Sequence, residues 1–104
     1  MISPLELLKD VKIYLGITWQ DSMKDQRITR LIASGVAYIN SKYGKAADYS
    51  VDGFPRTLLF EYVRYARDAA LDVFENNYTA LILAMQNEKR VNEYENVSDA
   101  ESDV

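Results

Sequence analysis

Apolar residues recur along this chain with the period of a helix, and most densely between Phe54 and Asn76, in FPRTLLFEYVRYARDAALDVFEN. Wound at 3.6 residues per turn, Leu59, Val63, Ala66, Ala70 and Val73 form a central stripe. Leu58, Tyr62, Tyr65 and Ala69 widen it on one side and Phe60, Leu71 and Phe74 on the other. Only Glu61, Arg64, Asp68, Asp72 and Glu75 are left as a narrow polar seam. A helix packed on one side needs an apolar arc of about 100°, whereas this arc covers roughly 240° by the same geometry. The pattern predicts a long central helix that is surrounded, either by the rest of a small domain or by neighbouring copies.

Three further helices follow from the same reading. Ser3-Pro4-Leu5-Glu6 combines an N-cap serine, a proline at the first helical position and a glutamate that closes a capping box. It predicts a helix over 4–15, with Leu5, Leu8, Val11 and Leu15 inward and Gly16 as its left-handed stop. Ile17 and Trp19 then read as a plug at the end of a helix pair. A second start at Ser22, with Asp21 and Asp25 suiting the positive end of the helix dipole, opens a helix to about Tyr43. Gly35 sits within its apolar stripe, where it costs about 1 kcal/mol of helix propensity relative to Ala. Close approach of the strip Ala66, Ala69 and Ala70 is the expected compensation. Residues 44–53, GKAADYSVDG, read as a loop before Pro55 starts the long helix. At Asn76-Asn77 helix propensity dips, so a separate fourth helix is expected from there to about Arg90, with Asn77 as its N-cap. The fold expected is all-α, a small bundle of about four helices over residues 1–90 with a flexible C-terminal tail over residues 91–104.

Composition changes this picture by exclusion. The 104 residues contain no Cys and no His, which removes thiolate nucleophiles, imidazole bases, Cys/His zinc sites and disulfides. No apolar run approaches the roughly 20 residues needed to cross a bilayer, and the N-terminus lacks the basic region of a signal peptide. Of the 16 acids, Glu93, Glu95, Asp99, Glu101 and Asp103 fall in the tail together with none of the 12 bases, so residues 1–90 carry a net charge of only +1. No helix has the Lys/Arg density of a phosphate-backbone binder. Asp68 and Asp72, four apart near Glu61 and Glu75, have the spacing at which two carboxylates could share a cation; with Arg64 placed to pair with Glu61 and Asp68 they read instead as a salt-bridged, solvated face. There is no glycine-rich phosphate loop and no nucleophile elbow. No catalytic, cofactor-binding or metal-binding residue is expected, and no enzyme.

The order LLKDVKIYLGI, a polar connection with Asp21 and Asp25, QRITRLIASGVAYINSKYG, and a Tyr/Ala-rich helix YVRYARDAALDVF with a short helix after it resembles the small head-tail connector proteins of tailed bacteriophages, over about residues 5–90. The resemblance implies an all-helical adaptor made in the bacterial host cytoplasm and placed in the virion neck. There it would form a homo-oligomeric ring between the portal protein and the stopper or tail-completion protein, extending a conduit through which DNA passes without sequence-specific binding. No cofactor comes with the family. The interface residues expected are the flank Phe60, Arg67 and Leu71, the loop residues Tyr49 and Val51, and Tyr94 as the anchor of a mobile tail whose distal acids stay solvated. Two other classes fit the size and helicity: a phage-encoded helical DNA-binding regulator, which wants a basic recognition helix, and a plain dimerising helical domain.

Overall fold

The structure, a computed structural model, describes residues 3–102, and the side chains of all of these but Pro4 and residues 95–102. Four helices follow in order: α1 Pro4–Leu15, α2 Ser22–Tyr43, α3 Phe54–Arg67 and α4 Leu71–Ser102. The described residues include no strand. The first helix begins as its sequence dictates. The Ser3 side chain accepts from the Glu6 amide, the Glu6 carboxylate accepts from the Ser3 amide, and Gly16 closes the helix in the left-handed conformation at φ 72°. At the start of α2 the cap is Asp21, one residue before the serine, because its carboxylate accepts from the amides of both Met23 and Lys24. Gly44 ends α2 at φ 88°.

α2 and α3 are the central pair, and each packs against all the other helices. Six consecutive residues of α3, Leu58 to Val63, are buried, so its wide apolar arc is covered by the rest of the same domain. Ile28, Ile32, Gly35 and Ile39 line the inward face of α2. Leu7 and Val11 of α1 close one side of the core, and Phe74 and Met85 of α4 close another. Ile17 and Trp19 pack, half-buried, against this core in the plugging role expected of them.

The long helix is not continuous to Asn76. It stops at Arg67, and Ala69 takes a left-handed conformation at φ 54°. The amides of Asp68 and Ala70 bond back to the Tyr65 carbonyl and that of Ala69 to the Ala66 carbonyl, which satisfies the exposed end of α3. A left-handed alanine costs roughly 1–2 kcal/mol. The turn returns that cost by swinging α4 back so that Phe74 reaches the core at 1% exposure. Conversely, α4 runs unbroken through Asn76-Asn77 and past Arg90 to Ser102, so Asn77 is not a cap. Asparagine is only a few tenths of a kcal/mol worse than its neighbours in a helix, too little to end one whose next turns pack through Tyr78, Leu81, Ile82 and Met85. From Val91 to Ser102 the tail backbone continues α4, and Asp103 and Val104 lie outside the described residues. Val91 and Tyr94 are 53% and 72% exposed, so neither side chain is part of the core.

Candidate interaction surfaces

The loop at 45–53 is a staple on α2. Asn40 accepts through Oδ1 from the Ala47 amide at 3.0 Å and from the Tyr49 hydroxyl at 2.7 Å, and Tyr49 is almost fully enclosed. Burial pushes the Tyr49 phenol well above the usual tyrosine range. The Arg56 guanidinium then ties the loop to two helices: it donates to the Tyr49 carbonyl at 2.9 Å, pairs with Asp10 of α1 at 3.1 Å, and lies 4.6 Å over the Phe60 ring. The Tyr14 ring of α1 also packs on Phe60, with ring centroids 5.2 Å apart. Tyr49 and Phe60 are therefore core residues with no surface to offer a partner. Each was expected at an interface because the sequence shows how much apolar surface α3 carries and does not show that α1 and the loop already cover it.

Of the other expected interface residues, Val51 is exposed at the tip of the loop, Arg67 is exposed at the end of α3, and Leu71 is 36% exposed at the first turn of α4. Tyr94 stands on α4 beyond the body. Phe74, Tyr78, Leu81 and Met85 form the stripe by which α4 docks, and at 100° per residue Leu83 and Tyr94 fall on the opposite side of the same helix. Leu83 is 54% exposed, consistent with that placement.

Glu61, read as part of a polar seam, is 7% exposed. Its carboxylate accepts from the Tyr14 hydroxyl and lies 3.6 Å from Arg64, so a polar residue on α3 fastens α1 to the core. The Asp68/Asp72 pairing does not survive the break between α3 and α4, and no three carboxylates converge on one point among the described residues. The carboxylates act instead on tyrosines. The hydrogen bond to Glu61, followed by burial, raises Tyr14 to about 12. Burial, then the hydrogen bond to Glu75 at 2.9 Å, raises Tyr38 to about 12, and burial raises Tyr78 to about 12. In the unfolded chain these phenols ionise near 10, whereas the folded chain holds their protons, so above about pH 10 the unfolded state binds fewer protons than the native one. The stability these groups contribute is complete below pH 10 and is lost as pH rises toward about 12. The melting temperature should fall steeply across that window, read by thermal melts at stepped pH.

A second feature needs the tertiary structure to be visible. Trp19, in the connection between α1 and α2, has the Lys12 and Lys24 ammonium groups each 5.2 Å from its ring centroid. It lines an open groove together with Lys24, Arg27, Ile28 and Leu31 of α2 and Arg67 of α3. Lys12 is neutralised by Asp25 at 3.0 Å, but Lys24, Arg27 and Arg67 form no ion pair among the described residues. The sequence does show Lys24 and Arg27 one turn apart beside Ile28 and Leu31. It does not show that the end of α3 brings Arg67 to the same place. No family model, curated protein or solved structure matches this chain.

Proposed function

We propose that the protein is a head-tail connector of a tailed bacteriophage, a structural subunit that forms a ring between the portal protein and the stopper or tail-completion protein and extends the DNA conduit. The observation that supports this reading is the construction of α4. Its first half closes the core through Phe74, Tyr78 and Met85, while Leu83, Val91 and Tyr94 leave large side chains on the outside of a helix that outruns the body. An adaptor must present such surface to neighbours, and a repeated contact between copies can be individually weak. A DNA-binding regulator fits less well, since α4, the longest helix, is acidic, while α2 and α3, which do carry more bases than acids, are the central pair that packs against every other helix and neither stands free as a recognition helix. A dimerising domain differs from a ring in stoichiometry alone.

The test is the mass of the species formed by the protein alone and with the portal protein of its own genome, for the wild type and for Leu71→Glu. A glutamate at the first position of α4 suits the positive end of the helix dipole, and Leu71 is outside the buried core. The variant should keep the wild-type melting curve and fail to form a ring on the portal. A wild type that never associates with the portal, or that stops at a dimer, removes the connector reading; a variant that still assembles moves the contact away from Leu71.

A further inference from the structure

The tail and the Trp19 groove are complementary in charge and stand at opposite ends of the molecule. Glu93 lies roughly 33 Å along α4 from Leu71 at 1.5 Å per residue, and Leu71 follows the α3 end that carries Arg67. α4 meets the C-terminal end of α2, where Gln86 donates to the Lys42 carbonyl at 2.8 Å and Lys89 lies over Tyr43. The groove sits at the other end of α2, around Lys24 and Arg27. The molecule is 57 Å long and 28 by 19 Å across, so a helical tail projecting from one end cannot turn back into a groove at the other.

We infer that the acidic end of α4 of one copy docks in the Trp19, Lys24, Arg27 and Arg67 groove of the next. The tail brings Glu93, Glu95, Asp99, Glu101 and Asp103 with no base among them, and the groove offers three cations that pair with no carboxylate among the described residues. Tyr94, 72% exposed, supplies an aromatic anchor, and Trp19 with Ile28 and Leu31 supplies an apolar floor to receive it. Joining the basic end of one molecule to the acidic end of another is a head-to-tail contact, the kind that closes into a ring when its rotation permits. The inference rests on the connector reading for its purpose and on the charge and geometry of this chain for its contact. The other cationic cluster, Lys42, Lys45, Lys89 and Arg90 near Tyr43, adjoins the tail of its own molecule, and Lys89 there already pairs with Glu93 at 3.8 Å.

The contact is tested by charge exchange in the full chain, read by sedimentation of the protein alone across concentration at low and high salt. Wild type should self-associate weakly, and salt should reverse it. The groove variant Lys24→Glu/Arg27→Glu/Arg67→Glu and the tail variant Glu95→Lys/Asp99→Lys/Glu101→Lys should each weaken association on the order of tenfold or more. Mixed one to one, the two variants should associate again, because each groove then meets a tail of opposite sign; that recovery also shows that neither variant is misfolded. Reversal of Lys42 and Lys45 should change nothing. Wild type that stays monomeric in low salt, variants that associate as wild type does, a mixture that stays monomeric, or loss of association on reversing Lys42 and Lys45 each overturns the inference. So does a groove that binds duplex DNA and, when reversed, loses DNA but not self-association. Assembly on the portal protein is read separately: if it persists after the groove and tail are reversed, the contact is wrong and the connector reading stands, and if charge exchange succeeds without portal binding, the opposite holds.

Discussion

Phe74→Ala is expected to destabilise the protein by about 3–5 kcal/mol, the range for emptying a buried aromatic site. Phe74 is 1% exposed and its ring meets four tyrosines, with centroids 6.1 Å from Tyr38, 5.6 Å from Tyr62, 6.0 Å from Tyr65 and 5.0 Å from Tyr78. Those tyrosines belong to α2, α3 and α4, so one side chain holds together the three helices that meet after the turn at Ala69. The neighbours have little freedom to collapse into the space, because Tyr38 is held at its hydroxyl end by donating to Glu75 and the Tyr78 ring is crossed edge-on by Tyr65. At about 4 °C or more per kcal/mol for a domain of this size, Tm should fall on the order of 15 °C. Leu83→Ala, on the opposite side of α4, should stay within about 0.5 kcal/mol of wild type. Denaturant melts of the two variants decide the matter; a Phe74→Ala protein as stable as Leu83→Ala would mean that α4 does not dock through its first turns.

What the sequence made legible were the features decided within a few residues. Ser3, Glu6 and Gly16 bound α1 because caps are local hydrogen-bond problems, and the inward face of α2 follows from its period alone. The end of α3 was not legible, for a reason that can be located. Helical apolar spacing continues unchanged through Arg67, Asp68, Ala69 and Ala70, and no glycine or proline marks the turn. What selects it is burial of Phe74 against Tyr38 and Tyr62, a contact between segments far apart in the chain. The same holds for the surfaces. Phe60 and Tyr49 read as spare apolar area until Tyr14 and Arg56 are seen lying over Phe60 and Asn40 is seen holding Tyr49. Glu61 reads as solvated until α1 brings Tyr14 to it. Arg67 reads as an interface residue from the sequence, but the groove it lines does not, since that groove exists only where the start of α2 passes the end of α3.

Gly35 carries the last prediction, since the expected close approach is present with a different partner. A Cβ placed there would lie 2.7 Å from Leu59 Cδ1 and 2.8 Å from Tyr62 Cδ1, so the helix that comes close is α3 at Leu59 and Tyr62, one to two turns before the alanine strip. Two effects oppose each other in Gly35→Ala. The helix gains about 1 kcal/mol of propensity, and the core must move two side chains that have little room, Leu59 at 0% exposure and Tyr62 held 5.5 Å from Tyr38 and 5.6 Å from Phe74. Overpacking costs typically 1–3 kcal/mol, so alanine should be neutral to destabilising by about 2 kcal/mol. Leucine gains no more propensity than alanine and adds three carbons, so it should reach or pass the upper end of that range. Melting temperature should then order as Gly35, Ala, Leu. Making room should undo the cost: Gly35→Ala in a Leu59→Ala background should be less destabilising than in wild type, a coupling well beyond the roughly 0.3–0.5 kcal/mol within which independent sites add. Effects that simply add in that double mutant would mean that Gly35 and Leu59 do not touch, and the packing of α2 on α3 would have to be redrawn.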